Sequence, residues 1–187
     1  VTLYNGDETL GDPQRVQVSN VGDFTTSDTF HVPPTAEVDY RLHREGVYGD
    51  WHHRTFEAGY TDWQLEFATV HVTLYNGDET LGDPQRVQVS NVGDFTTSDT
   101  FHVPPTARVS YRLHTGGVYG PWHANQTFPA GYTDWRLEFA TVTFVFDLPS
   151  ALADQMQTQI SGVATVDHEG TAHLPPGAEI SFRPTSS

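Results

Sequence analysis

The sequence repeats itself. Every residue from Val1 to Ala36 recurs unchanged from Val72 to Ala107, at an offset of 71 residues. After Ala36 the copies diverge, and one inserted residue in the second copy aligns TFEAGYTDWQLEFATV at 55–70 with TFPAGYTDWRLEFATV at 127–142. A repeat of this length restricts the fold to similar units, each built from one such segment and stacked on its neighbours.

A partial third copy follows the first two. TAHLPPGAEISFRP at 171–184 matches TFHVPPTAEVDYRL at 29–42, with both prolines and the alternating apolar positions kept. We therefore divide the chain into repeat units at 1–71, 72–143 and 144–187, of which the third is partial. A single unit of about 70 residues would bury only about 60% of its unfolded surface, so neighbouring units are expected to support one another.

Charge and composition exclude several classes of function. The chain has 24 acidic residues and nine basic residues, all of them arginine, for a formal net charge of −15. Nucleic acid and membrane surfaces are excluded as partners, because clustered Lys and Arg make the contacts to phosphate. The absence of lysine and cysteine excludes Schiff-base chemistry, disulfides and thiolate metal sites. No apolar run approaches the roughly 18 residues of a membrane span.

Each unit is predicted to consist of short β-strands separated by turns. Asn5-Gly6 lies between VTLY and DETL and suits the positive φ of both central residues in a type I′ hairpin turn. TFHV at 29–32 is predicted to be a strand that ends at a proline pair, and residues 36–43 alternate as in a half-buried strand. About six strands per unit predict an all-β fold of tandem, small, antiparallel β-sandwich units of the immunoglobulin-like type.

The apolar phase reverses where one unit meets the next. In WQLEFATVHVTL at 63–74, apolar side chains occupy every second position up to Phe67 and then every second position from Val70. A one-residue change of phase exchanges the two faces of a strand. We therefore expect a bulge or twist near Ala68-Thr69 and almost no flexible linker, so that consecutive units form a semi-rigid line.

One segment of the third unit has a helical pattern. Ser150 is placed to cap ALADQMQ, in which Leu152 and Met156 lie four residues apart on one face. The segment stands where the third unit lacks the Asn-Gly hairpin. We predict a short helix here and strands elsewhere.

Three segments of each full copy resemble a known family. VTLYNGDETLG, VQVSNVGDF and the short TFHVPP segment are similar to the immunoglobulin-like repeats of bacterial and archaeal surface proteins, including CARDB-type adhesion modules. The resemblance covers about half of each unit. It implies extracellular adhesion or spacing rather than catalysis, and it implies no site residues.

Aromatic residues in a turn-rich stretch of each copy are candidate ligand-binding residues. Flat aromatic faces beside polar groups suit sugar rings and also anchor protein interfaces. The alternative is that the first tryptophan of each copy closes one end of the sandwich, while Trp63 and Trp135 lie in the core. The candidates are Tyr48, Trp51, His52, Tyr119, Trp122 and His123.

Acidic residues gather in the predicted turns of both copies. Calcium is bound by several carboxylate and carbonyl oxygens, and a site between tandem domains can stiffen them. No D-x-D-x-D-G loop occurs, however, so we expect solvated turns and no cofactor, with calcium as the one ion that these turns could hold. In the first copy these are Asp7, Glu8, Asp12, Asp23 and Asp28, with the amide of Asn20 among them.

One histidine recurs in all three units, two positions before the proline pair. Alternation with apolar neighbours places His31, His102 and His173 on the outer face or at a contact between units, and we predict an interface role. Protonation near pH 6 would then loosen the contact. No zinc-ligand spacing is present, so no metal site is predicted.

Catalytic motifs are absent from the sequence. There is no G-x-S-x-G and no glycine-rich phosphate loop, so we predict that the protein is not an enzyme. A glycosidase remains the enzymatic alternative, since its carboxylate pair is recognised by spatial separation. Asn125-Gln126-Thr127 is a sequon at the inserted residue and makes Asn125 a candidate glycosylation site.

Together these features predict an extracellular or cell-surface structural repeat protein: a spacer, adhesin stalk or filament subunit. It would assemble with neighbouring subunits through β-strand or interface contacts, since length and multivalency rise with copy number. The unpaired edge of the partial third unit is one place for such a strand to add. The alternative is a bivalent carbohydrate-binding protein whose glycan partners contact the Trp51 and Trp122 loops.

Overall fold

The computed structural model describes residues 1–186 and confirms the predicted all-β class. The first unit forms eight strands: β1 (Thr2–Asn5), β2 (Glu8–Leu10), β3 (Gln14–Val18), β4 (Gly22–Phe24), β5 (Glu37–Arg44), β6 (Val47–Tyr48), β7 (His52–Thr55) and β8 (Gln64–Glu66).

The rest of the chain continues in the same manner. The second unit is built from β9 (Ala68–Asn76), β10 (Glu79–Thr80), β11 (Gln85–Val89), β12 (Gly93–Phe95), β13 (Thr100–Val103), β14 (Val109–Thr115), β15 (Val118–Tyr119), β16 (His123–Gln126) and β17 (Gly131–Glu138). The third contains β18 (Ala140–Thr143), α1 (Ser150–Ala153), β19 (Met156–Ile160), β20 (Thr165–Asp167), β21 (Thr171–Leu174) and β22 (Phe182–Ser186).

The strands of the first unit form two sheets around one core. One sheet has the order β2-β1-β8, and the other has β4-β3-β5 with β6 and β7 both paired to β5. Leu3 and Leu65 from the first sheet share a buried cluster with Val16 and Leu42 from the second. Two sheets that bury their inner faces against each other form a sandwich.

The second and third cores lie further along the chain. In the second unit β10-β9-β13, with β17 on β9, faces β12-β11-β14 with β15 and β16. The third unit keeps the smaller sheets β18-β21 and β20-β19-β22 around Ile160, Val166, Ala172 and Leu174. Each group of sheets therefore has its own buried cluster.

The first and last strands of a unit run parallel, which differs from a purely antiparallel prediction. β1 pairs with β8 and β9 with β17 in parallel, while the other pairings among residues 1–186 are antiparallel. Because its first and last strands point the same way, a unit receives the chain at one end and releases it at the other. This direction lets consecutive units follow one another in a line.

The predicted reversal of phase lies between Phe67 and Ala68. Phe67 belongs to the buried cluster of the first unit, whereas the next residue, Ala68, belongs to that of the second. β9 begins at Ala68 and continues without a break across the sequence boundary between residues 71 and 72. The same change recurs one unit later, where Phe139 lies in the second cluster and Val142 packs against the third. At each boundary, a one-residue change in the phase of buried residues thus transfers the chain from one core to the next.

The hairpin after β1 is present, but its turn is one residue later than predicted. Asn5 pairs with Glu8, so Gly6 and Asp7 are the central residues. Gly6 has φ of +53°, whereas Asn5 and Asp7 are not in the positive-φ region. Positive φ at the first central residue alone is the pattern of a type II′ turn, and glycine is preferred there.

The predicted helix is shorter than its pattern. α1 covers only Ser150–Ala153, its N-cap is Pro149 rather than Ser150, and the cap makes no side-chain hydrogen bond. Leu152 is exposed and Met156 begins β19, so the two do not share a helical face. No helix formed by residues 1–186 is long and apolar enough to cross a membrane.

The strand predicted at 29–32 does not form, although the identical segment at 100–103 is β13. β13 pairs with residues 68–71 of β9. Within residues 1–186, no strand pairs with residues 29–32. A strand needs a partner for its backbone hydrogen bonds, and here identical sequences differ in the partner alone.

Candidate functional site

Arg41 contacts two half-exposed aromatic rings of the first unit. Its guanidinium carbon lies 3.9 Å from the ring centre of Tyr48 and 4.6 Å from that of Trp51. Its Nε donates to Gln17 Oε1 at 2.8 Å between β5 and β3. The ring of His43 stacks on Tyr48 at 5.2 Å. We call His43, Tyr48, Arg41 and Trp51 the arginine stack; cation–π attraction and planar stacking hold it together.

The second unit contains the same arrangement. The guanidinium carbon of Arg112 lies 4.1 Å from the ring centre of Tyr119 and 4.7 Å from that of Trp122. Its Nε donates to Gln88 Oε1 at 2.8 Å, and His114 stacks on Tyr119 at 5.0 Å. The arginine stack is therefore a property of the repeat.

The third unit keeps only the hydrogen bond between the arginine and the glutamine of the neighbouring strand. Arg183 Nε donates to Gln159 Oε1 at 2.7 Å between β22 and β19. Residues 184–186, which follow Arg183, include no aromatic side chain to cover its guanidinium. Arg183 thus provides an internal comparison for Arg41 and Arg112.

The six predicted aromatic-loop residues divide between two faces of the sheet. Tyr48 and Trp51 meet on Arg41, but His52 packs on the ring of Tyr40 at 5.5 Å. Tyr40 follows the opposite face of β5, where its ring contacts the core residue Trp63 at 4.7 Å. His52 begins β7 and packs on Tyr40, whereas Trp51, just before the strand, packs on Arg41, so the two adjacent residues do not form one flat site.

The second copy divides in the same way. Tyr119 and Trp122 contact Arg112, whereas His123 stacks on Tyr111 at 5.0 Å. Tyr111 contacts the buried Trp135 at 4.8 Å, and burial raises the pKa of its phenol. The core positions predicted for the strand tryptophans match their burial, since Trp63 and Trp135 are 2% and 8% exposed.

Sequence reasoning missed Arg41, the centre of the arginine stack, and Gln17, which accepts its hydrogen bond. The signal was available, because Gln17 and Arg41 recur at the matching positions of both later units, including the partial one. A pair kept in all three units indicates a cross-strand contact of the fold, and β3 and β5 place Gln17 opposite Arg41.

An open groove runs beside the first arginine stack. Trp51 is 46% exposed and borders a groove of about 590 Å³, together with Gln17, Asn20, Asp23 and Arg41. One part of the indole is covered by the guanidinium, while the rest faces solvent. Amide, carboxylate and guanidinium groups beside an exposed indole can hydrogen-bond and stack with a sugar ring.

His102, the copy in the second unit of the histidine that recurs before the proline pair, lies at the junction with the first unit. Its Nδ1 is 2.8 Å from Thr69 Oγ1, and its backbone oxygen accepts a hydrogen bond from Arg44 Nη1 at 2.9 Å. Beside it Gly49 approaches Pro104 and Pro105 so closely that an added Cβ would lie 3.2 Å from both. The end of β5 and the residue after β6 of the first unit therefore pack directly on the second.

Burial changes the acid–base properties of this junction. The pKa of His102 is lowered, chiefly by burial and also by the positive charge of Arg44, while the negative charge of Glu8 acts in the opposite direction. Burial also lowers the pKa of Arg44, and Glu45 opposes that effect. Both lowered pKa values mean that a positive charge is less stable at this contact than in water.

The second junction repeats the contact with different residues. Thr115 Oγ1 donates to the backbone oxygen of His173 at 3.3 Å, as Arg44 does to His102. Gly117 N donates to Gly162 O at 2.7 Å, and Gly120 lies against Pro175 and Pro176. His173 Nδ1 is 3.3 Å from Thr141 Oγ1. In contrast, His31 of the first unit is exposed.

Two of the acidic turn residues make hydrogen bonds within the protein. Asp28 Oδ2 accepts from Thr25 N at 2.8 Å, and Asp12 Oδ1 accepts from Arg15 at 2.6 Å. Within residues 1–186, only Glu37, Asp39 and His53 bring three metal-ligating atoms within 4.8 Å of one another. All three are exposed, and their counterparts in the second unit are Arg108, Ser110 and Ala124. The grouping is not part of the repeat.

The inserted residue of the second copy forms a bulge that carries the sequon. β14 pairs Val109 with Gln126 and Tyr111 with His123, so two residues of β16 lie opposite one of β14. Asn125, in the bulge, is exposed and has φ of +63°. β7 pairs with β5 without interruption. The insertion is thus absorbed by one strand and presents Asn125 to solvent.

No family model, curated protein or solved structure matches the chain. The similarity to CARDB-type modules therefore remains a resemblance of short segments.

Proposed function

We propose that this chain is a structural repeat segment of an extracellular or cell-surface protein, in which stacked β-sandwich units set length and orientation. The observation that carries the proposal is the short step between the cores: β8 ends at Glu66, Phe67 packs in the first core, and β9 begins in the second core at Ala68. A connection of one residue between two packed strands leaves little freedom between units.

Contacts beside this short connection support a fixed orientation. Arg44 and Thr115 each donate a hydrogen bond to the backbone oxygen of the histidine in the following unit. Val47, from the first unit, is buried within the cluster of the second. The accessible surface of 10301 Å² also exceeds the about 8,900 Å² typical of a compact monomer of this mass, as expected for units arranged in a row.

Small-angle X-ray scattering with size-exclusion chromatography tests this proposal. A compact domain of this length has a radius of gyration of about 16 Å, and we expect a clearly larger value that stays constant with dilution. A value near that of the compact domain, or a broad ensemble of inter-unit angles, would contradict a spacer.

A second candidate function is bivalent carbohydrate binding. It is favoured by the half-exposed Trp51 and Trp122, each held by an arginine, and by the polar groove beside Trp51. A glycan array with the wild type and the Trp51→Ala/Trp122→Ala double variant distinguishes the candidates. Glycan signals that disappear in the variant support binding; a blank array supports the structural role alone.

A further inference from the structure

Two identical segments of the chain differ in whether they are paired. Residues 100–103 form β13, which pairs antiparallel with residues 68–71 of β9. Residues 131–134 of β17 pair parallel with the other edge of the same four residues. The counterparts in the first unit, 29–32 and 59–62, lie outside the strands, and in the described chain their backbone groups make no backbone hydrogen bonds.

The apolar side chains around the unpaired segments are incompletely buried. Phe30, Val32 and Phe56 are only partly buried against the first core. Their counterparts in the second unit are 2%, 0% and 2% exposed: Phe101, Val103 and Phe128. Because the local sequence is nearly the same, the greater exposure of these side chains in the first unit results from the lack of a neighbouring strand equivalent to residues 68–71.

The first unit has a groove at the position where, in the second unit, residues 68–71 of β9 lie between β13 and β17. It has a volume of about 300 Å³ and is lined by Phe30, His31, Val32, Phe56, Tyr60 and Trp63, among others. In the second unit Ala68 and Val70, both fully buried, lie opposite the counterparts of these walls. The groove therefore has the walls that bind an extended segment with small or branched apolar residues at alternate positions.

A threonine–histidine pair accompanies the strand at both occupied sites. Thr69 Oγ1 lies 2.8 Å from His102 Nδ1, and Thr141 Oγ1 lies 3.3 Å from His173 Nδ1. His31 occupies the matching position of the first unit, where its side chain is exposed. An incoming strand of the same type would supply its threonine.

We propose that this groove binds one β-strand with the sequence pattern of Phe67–His71, supplied by a preceding copy of the repeat unit and running into Val1 as His71 runs into Val72. The strand lies antiparallel to residues 29–32 and parallel to residues 59–62, and its threonine contacts His31. This is strand addition at an open sheet edge, with backbone hydrogen bonds for affinity and side-chain pockets for selectivity. It rests on the proposed function and specifies how a further unit docks.

The test extends the full chain by Phe-Ala-Thr-Val-His placed directly before Val1. The matched control carries Phe-Pro-Thr-Pro-His, which has the same length but cannot complete the backbone hydrogen bonds. Amide hydrogen exchange is measured for residues 30–32 and 60–62, with residues 101–103 as an internal reference for folding. We expect exchange at least about tenfold slower with the first extension than with the control.

Equal exchange in the two extended chains, with residues 101–103 protected in both, would overturn the proposal. A third chain with Phe-Ala-Val-Val-His tests the histidine contact, and we expect protection of residue 31 between that of the other two; protection equal to that of the threonine version would remove His31 from the contact. Scattering of the same chains keeps the questions separate: an elongated particle without added protection retains the spacer role and rejects the groove, whereas a compact particle with added protection does the reverse.

Discussion

Arg44 of the first unit donates a hydrogen bond to the backbone oxygen of His102 in the second, with an Nη1–O distance of 2.9 Å. The second junction replaces this charged donor by the hydroxyl of Thr115, which bonds to His173 O at 3.3 Å. The two junctions thus provide different hydrogen-bond donors for equivalent carbonyls. Substitutions that exchange the donors can therefore measure how much this contact contributes to stability.

We expect Arg44→Ala to lower the free energy of unfolding by about 1–2 kcal/mol, because the His102 carbonyl loses its partner at a partly buried contact. Arg44→Thr should lose less, since it copies the second junction. Urea denaturation measures both variants. Arg15→Ala, which removes an exposed ion pair with Asp12, is the control and should change stability by less than about 0.5 kcal/mol. An equal loss from Arg44→Ala and Arg15→Ala would be inconsistent with a junction role.

Acid should weaken the first junction through His102. Its pKa is lowered in the folded protein by burial and by Arg44, with Glu8 acting against them, so the unfolded state binds the proton more readily. The contribution of His102 is therefore complete above its unfolded pKa of about 6.5 and decreases as the pH falls below it. Urea denaturation from pH 7.5 to 5 should show a smaller decrease for His102→Gln than for the wild type. His31→Gln, at the exposed copy, is the matched control for the substitution itself; a wild-type pH dependence in His102→Gln would contradict this account.

The arginine stack predicts unequal effects of equivalent substitutions. Arg41→Ala removes contacts with two aromatic rings and the bond to Gln17, an expected loss of about 1.5–2.5 kcal/mol. Arg183→Ala removes only the bond to Gln159 and should cost less than about 1 kcal/mol. Thermal unfolding gives the stability, and near-ultraviolet circular dichroism should lose a Trp51 signal only in Arg41→Ala. Similar losses from both substitutions would show that the rings contribute little.

Thr35 predicts a stabilising substitution. It has φ of +61°, a region that is costly for a β-branched residue, and the third unit has Gly177 with φ of +73° at the matching position. We expect Thr35→Gly to raise the free energy of unfolding by about 0.5–1 kcal/mol, because relief of the strained backbone exceeds the added entropy of the unfolded chain. Thr106→Gly should gain less, since Thr106 Oγ1 also donates to Asp50 Oδ2 at 3.2 Å. Calorimetry compares the two, and a loss of stability in Thr35→Gly would refute the strain argument.

Much of the local structure could be predicted because it depends on short-range patterns. The alternation around β5, the proline pairs and the reversal of phase after Phe67 follow from backbone geometry and from which side chains avoid water. The hairpin was predicted one residue too early, since a two-residue loop at either position leaves a similar sequence pattern and only the pairing of Asn5 with Glu8 decides the turn type.

The candidate site was predicted less well, because side chains distant in sequence form it. Tyr48 and Trp51 were found by their aromatic character, but Arg41 was passed over as a polar residue of a strand. His52 was assigned to the same site through proximity in sequence, although alternation within a strand sends it to Tyr40 on the other face.

The sequence by itself determined that the chain is built from repeated β units, that its aromatic strand residues form cores and that its units meet without a linker. Only the tertiary structure decided which copy of an identical segment becomes a strand. Residues 29–32 and 100–103 have the same sequence, yet only the second has residues 68–71 beside it. The physical reason is that strand formation requires a partner for backbone hydrogen bonds and for apolar burial, and that partner is supplied by the neighbouring unit.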